Sequence, residues 1–243
     1  MSRYYGWRPS PKDERDWPLS RLGLVQGVFG RPDSVDYSHM IDKIVDQVGP
    51  SCVGEGTARG VHVRRMIEGS VADLPDALFI YALARAYEVG PDGPLPNDGA
   101  FIRNALQVIN DCGVAPRGTC SPDDILQRPN WRAMQLAADS RQLEYARLLS
   151  ADEARSALWS GFPVVIGGDV DQAYCDRGPS DPPWNGVTGT VLGGHCRCLV
   201  GYEPGALLEV NSWGTNWAQG GFSWLTDSVV DSSELWAVKM VTA

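Results

Sequence analysis

Apolar residues recur at helical spacing through the first half of the chain and alternate in short runs through the second. From Cys52 to Glu68 the positions Val53, Ala58, Val61 and Met66 predict a helix with one buried face, stopped at Gly69. Pro75 opens a second helical stretch over Asp76 to Tyr87, with Leu78, Phe79, Ala82, Leu83 and Ala86 in phase. After a loop rich in Gly, Pro and Asp (Gly90 to Gly99), a third pattern runs from Phe101 to Asn110 through Ile102, Ala105, Leu106 and Ile109. A short helix over Ser150 to Trp159 begins on a Ser-Ala-Asp-Glu cap. Beyond it, Phe162 to Val170, Cys198 to Tyr202, Leu207 to Asn211 and Gly221 to Leu225 are β-branched or apolar runs bounded by Gly, Pro or Asn. Helices followed by antiparallel strands predict an α+β chain.

The opening segment breaks this periodicity. Pro9, Pro11, Pro18 and Pro32 punctuate it, and it reads as an extended arm laid over the surface, with a free tail as the other possibility. The expected organisation is an arm (1–38), a mainly helical part (39–150) and a β-rich part (151–243) forming one unit.

Composition narrows the function. A formal net charge of -9 opposes phosphate backbones and anionic membranes, and the most basic cluster is only Arg64-Arg65, so neither nucleic acid nor membrane is expected as a partner. No run approaches the ~20 apolar residues of a membrane span, and Met1 to Trp17 has no signal-peptide core. The expectation is a cytoplasmic protein, or a virion-associated one if phage-encoded. Six cysteines in a chain that is neither small nor visibly secreted do not read as a disulfide framework. Cys196 and Cys198 have no second paired cluster to complete a zinc site, so no metal or cofactor is expected.

Three residues carry chemistry in combination. A cysteine at a helix start, as Cys52 is predicted to be, has free amides pointing at its sulfur. Gln47, in the preceding loop, can aim its side-chain amide at a developing oxyanion, with the Cys52 backbone N–H as second donor. His195 follows Gly193-Gly194 and can project from a sheet edge to take the thiol proton and later return it to a leaving amine. Asn211, in Asn211-Ser212-Trp213-Gly214, can accept from the other imidazole nitrogen beneath Trp213. Each residue alone has a plainer reading: a buried thiol, a core histidine, a strand-ending asparagine.

Together they resemble the papain-like cysteine peptidases. The order Cys, His, Asn is that family's, and 143 residues separate Cys52 from His195, within its ~130 to 150 window. Asn211-Ser212-Trp213-Gly214 matches its Asn-Ser-Trp-Gly element, and Gly220-Gly221-Phe222 resembles the family's next element, Gly-Gly-Tyr/Phe. Asp46-Gln47, Gly194-His195, Val200-Gly201-Tyr202, Asp98-Gly99 and Ala105-Leu106 also have counterparts there. The resemblance implies a helical domain with the cysteine, a β domain with His and Asn, and a cleft between them that hydrolyses a peptide or protein substrate. It implies Gln47 in the oxyanion hole, Gly99 against substrate backbone, Trp217 on the leaving-group side, and Trp213 and Gly194 as further substrate-binding residues. Tyr4 to Pro9 and Asp13 to Asp16 resemble the opening of some microbial and phage-encoded members.

The chain also departs from the pattern. Gln47 stands five residues before Cys52, one fewer than usual; Pro50-Ser51 replaces Gly-Ser, and Val53 replaces Trp. Gly54 and Gly56 weaken the helix by ~1 kcal/mol each relative to Ala. Gly49 holds the place of a disulfide cysteine. Cys196 replaces a small residue after the histidine, either as a thiol oxidisable with Cys52 or as an inert packed one. The arm is too short for the family's long propeptide, yet long enough to reach the cleft. His39 and His62 are expected to lack a catalytic role, Asp123-Asp124 and Asp152-Glu153 to serve helix starts, and Asp227, Asp231 and Glu234 to be solvated. The leading function is a thiol endopeptidase. The alternatives are a weakly active or inactive papain-fold binding or assembly protein, and a Cys/His cell-wall amidase.

Overall fold

The computed structural model describes residues 3–14, 16–19, 30–70, 73–140 and 143–240. Parts of the expected arm (1–2, 15 and 20–29) and the last three residues of the β-rich part lie outside the described residues. In chain order the elements are β1 Trp7–Arg8, β2 Val35–Asp36, α1 Cys52–Ile67, α2 Ala77–Val89, β3 Ala100–Phe101, α3 Ile102–Cys112 and α4 Trp131–Ala137. They continue as β4 Leu143–Leu148, α5 Ala151–Trp159, β5 Val164–Val170, α6 Gln172–Cys175, β6 Gly193–Glu203, β7 Ala206–Val210, β8 Phe222–Thr226, α7 Asp227–Asp231 and β9 Glu234–Met240.

The helix starts follow their caps. Asp76 accepts the Phe79 N–H at 3.0 Å to open α2. At α5, Ser150 Oγ takes the N–H of Glu153 while the Glu153 carboxylate takes that of Leu149. α1 differs from expectation: instead of one buried face, every residue from Cys52 to Val63 is buried. It packs against α2 and α3 on one side and against β5, β6 and β9 on the other. Such a central helix must settle its own polar groups, and Glu55 does so through two bonds from Arg117, at 2.8 and 3.0 Å.

The glycines of α1 belong to this packing. A Cβ on Gly54 would lie 2.2 Å from the Ala77 carbonyl oxygen, and one on Gly56 2.9 Å from Cys196 Sγ. The helix propensity lost there permits the close approach of α2 and β6.

The large sheet is antiparallel, in the order β4-β9-β5-β6-β7-β8, with β2 added to β6. One face packs on α1 through Val165, Cys196, Trp236 and Val238. The opposite face covers Tyr174, Trp213, Trp217 and the apolar side of α5. β4 and β9 enlarge the expected sheet. Glu234, expected to be solvated, is 5% exposed, its Oε1 held by Trp236 Nε1 at 2.8 Å and by Arg147 at 3.0 Å. Asp227 pairs with Arg155 at 2.6 Å, and Asp231 accepts the Ala151 N–H.

Candidate active site

The fold places the pieces of this site at three junctions. Cys52 is the first residue of α1. His195 is the third residue of β6, where β5 pairs with it (Gly168 opposite His195) but β7 does not begin to pair until Cys198. His195 therefore stands on a locally free edge of an otherwise interior strand. Asn211 follows the last residue of β7. The Gln47 loop is joined to the Asn211–Gly214 turn: Gln47 N–H donates to Ser212 O at 2.9 Å, Gly214 N–H to Val45 O at 2.9 Å, and Ser212 Oγ to Gln47 Oε1 at 2.7 Å. Segments some 165 residues apart thus form one wall.

Within that wall His195 Nε2 lies 2.7 Å from Asn211 Oδ1. Trp213 stacks on the imidazole with centroids 4.1 Å apart and planes at 21°. The other ring nitrogen, Nδ1, is buried without a hydrogen-bond partner among the described residues. The Cys52 sulfur sits by the backbone N–H groups of Cys196, the residue after His195, and of Gly6 and Val53. Trp217 is 1% exposed and packs edge-on against Trp213. A cavity of about 530 Å³ opens beside them, bordered by Gln47, Trp213, Gly214 and Asn216. All six cysteines are free, and Cys196 is packed against Gly56. His39 is exposed and His62 is buried beside Arg59; among the described residues no cluster of His, Cys, Asp or Glu could hold a metal.

Cys52 and His195 are both fully buried, and the arm runs beside them. Its backbone enters the cleft in place of lying on the outer surface. The Gln47 side-chain amide donates to Tyr4 O at 3.2 Å and to Gly49 O at 2.8 Å. Gly6 N–H donates to Gly194 O at 3.0 Å, and Ala100 N–H to Gly6 O at 2.8 Å. β1 then pairs parallel with β3, Trp7 opposite Ala100. Gly99, at φ +105°, leaves no room for a side chain: a Cβ would meet Gly6 O at 2.4 Å. Gly194 likewise admits the Trp7 carbonyl, and Trp7 Nε1 donates to Glu234 Oε2 at 3.0 Å. Arg3 lies over Trp213 at 4.5 Å, and Arg8 pairs with Glu88 at 2.6 Å.

Coverage sets the protonation states. Desolvation raises the Cys52 thiol to about 11, outweighing the three amides and the Arg197 charge. Desolvation, helped by Arg197, lowers His195 to about 3 against the support of Asn211. The covered pair is neutral thiol and neutral imidazole, whereas a helix start alone suggests a stabilised thiolate.

No family model matches the sequence, and no curated protein matches it. Solved structures do. Xylellain, a cysteine protease from Xylella fastidiosa, superposes at TM-score 0.78 with 24% identity, over 100% of this chain and 99% of that one. The procathepsin B S9 of Trypanosoma congolense gives 0.69 at 16% identity, over 98% and 87%. The Carica candamarcensis protease CMS1MS2, solved with E-64, gives 0.65 at 21% identity, over 86% and 100%. The fold is papain-like. In this papain-like chain α1 to α4 precede most of the large sheet, with Cys52 opening α1, His195 on β6 and Asn211 just past the end of β7.

Three buried groups behind the site escaped sequence reasoning. Tyr174 OH reaches Asn211 Nδ2 (3.2 Å) and Glu209 Oε1 (2.7 Å), and Arg197 Nε donates to Glu209 Oε2 (2.8 Å). A signal was present: Arg197 and Glu209 are opposite charges inside apolar strand-like runs, two residues from His195 and Asn211.

Proposed function

We propose that the chain is a thiol endopeptidase, made in a self-covered form. Cys52 attacks the scissile carbonyl and forms an acyl-enzyme, His195 takes the thiol proton on Nδ1 and returns it to the departing amine, and Asn211 holds the ring. Gln47 and the Cys52 N–H receive the oxyanion. Gly99 and Gly194 take substrate backbone where they now hold the arm, and the cavity by Trp213 and Trp217 receives the leaving-group side.

The observation that carries this reading is the 2.7 Å bond from His195 Nε2 to Asn211 Oδ1 under Trp213, with Nδ1 unpaired among the described residues and the Cys52 sulfur by the N–H of Cys196, the residue after His195. Gln47 supports it: with the arm in place its amide already holds a peptide carbonyl, that of Tyr4. The similar chains are cysteine proteases, and one of them was solved with E-64.

The test is mass mapping of an epoxide-type thiol probe on the full chain, beside Cys52→Ala, with a dipeptidyl fluorogenic panel. A single adduct on Cys52 and cleavage lost in Cys52→Ala are expected. No adduct and no cleavage once the arm is displaced would instead favour a papain-fold binding or assembly protein; cleavage of peptidoglycan stems but not of polypeptides would favour the amidase.

A further inference from the structure

We infer that Tyr174, Glu209 and Arg197 form a positioning relay that fixes which way round the Asn211 amide sits, and through it which nitrogen of His195 carries the proton. The relay rests on His195 being the base, as proposed above, and explains what sets its tautomer.

The polarity can be followed from one end. Arg197 has only donors, and its Nε meets Glu209 Oε2 at 2.8 Å, with both side chains wholly buried. A glutamate facing a guanidinium in a dry interior is a carboxylate and only accepts. Tyr174 OH, 2.7 Å from the other Glu209 oxygen, must therefore spend its one proton there. Burial and that carboxylate hold the phenol well above its ordinary pKa, so the proton stays on. The phenol oxygen can then only accept from Asn211, 3.2 Å away, which puts Nδ2 on that side and Oδ1 toward His195. Oδ1 accepts, so Nε2 carries the hydrogen and Nδ1 keeps its lone pair for the thiol proton. The Ser212 N–H, 2.7 Å from Oδ1, favours the same orientation. Arg197 also donates from Nη1 to His195 O at 3.1 Å, tying the cation to the histidine backbone.

A buried ion pair is weak evidence for stability, since well-packed apolar residues often do as well. Here it supplies direction: a fixed acceptor at one end of a chain of bonds whose other end is the imidazole.

The experiment reads the tautomer directly. The chain has three histidines, so the His195 ring of ¹⁵N-labelled full chain is assigned by difference with His195→Gln in long-range ¹H–¹⁵N spectra. Wild type is expected to show the Nε2–H form. Tyr174→Phe removes one oxygen, leaves the ion pair intact, and is expected to give a mixture of tautomers. In the arm-displaced background Gly6→Val it should also slow epoxide labelling of Cys52 by ~10-fold, the loss of about one hydrogen bond, and shift the pH profile of labelling. Glu209→Gln must offer its oxygen to Arg197 and its NH₂ to Tyr174, which turns the phenol proton toward Asn211; the Nδ1–H form should gain most in this variant. Should Glu209→Gln not fold, Tyr174→Phe decides alone. Wild-type nitrogen shifts and an unchanged pH profile in Tyr174→Phe would overturn the relay. A correct tautomer in wild type with no labelling of the arm-displaced chain would defeat the catalytic reading and leave the relay standing.

Discussion

Replacing Gly6 by valine should open the cleft. A Cβ at Gly6 would lie 1.8 Å from the Pro50 carbonyl oxygen and 2.9 Å from Pro50 Cα. Both contacts are with backbone, so no rotamer relieves them, and the arm must leave its track. What it gives up first is the pair of bonds made by Gly6 itself, to Gly194 O at 3.0 Å and from Ala100 N–H at 2.8 Å. At a net ~1 kcal/mol each, their loss shifts the balance between covered and open forms by ~2 kcal/mol, or roughly 30-fold. If the open form is the minor one in wild type, the labelling rate of Cys52 by an epoxide-type probe rises by about that factor. The assay is labelling followed by intact mass at several probe concentrations, with Cys52→Ala as blank. Equal rates in Gly6→Val and wild type, with the fold intact by circular dichroism, would refute the idea that the arm governs access.

Other outcomes stem from the buried charges and the packing. His195 is lowered to about 3 from an ordinary 6.5, so between those values the unfolded or uncovered chain binds a proton that the covered chain does not. Stability against urea should therefore fall as pH drops from about 6.5 toward 3, and the arm should become protease-sensitive over the same interval. The Cys52 thiol is raised from 9.0 to about 11, so its contribution is full below about 9 and fades as pH climbs toward 11; Cys52→Ala should flatten that alkaline limb. Arg117→Ala leaves the buried Glu55 side chain, in the first turn of α1, without its partner and should cost about 3 to 5 kcal/mol in chemical denaturation. Gly56→Ala should destabilise by about 1 to 3 kcal/mol although alanine favours helix, because its methyl meets Cys196 Sγ; adding Cys196→Ala should recover part of the loss.

The helix that Cys52 opens and the two helices after it are legible in the sequence because their apolar spacing is local. The candidate triad is legible from order, spacing and one four-residue motif. The path of the arm is not, for what draws it into the cleft is the absence of side chains at Gly99 and Gly194 and a two-residue strand pairing, none of which leaves a periodic trace in residues 3–8. Glu234 departs from expectation for a related reason. It follows a polar stretch, Asp231-Ser232-Ser233, but is buried by partners from far along the chain, Trp7 and Arg147. β4 and β9 give no clear sequence signal because Glu144, Arg147 and Lys239 interrupt their apolar alternation, while the pairing that makes them strands joins residues about 90 apart. Cys52 stands at the helix start in sequence and structure alike, yet its burial, which raises the thiol pKa, leaves no trace in the local pattern.

Peptide hydrolysis by the arm-displaced chain, with and without its thiol, tests the proposed chemistry most directly. Gly6→Val should cleave an unstructured polypeptide, and Gly6→Val/Cys52→Ala should leave it intact while retaining the fold. Cleavage that survives loss of Cys52, or a chain that binds peptide and labels on Cys52 yet never turns over, would contradict it.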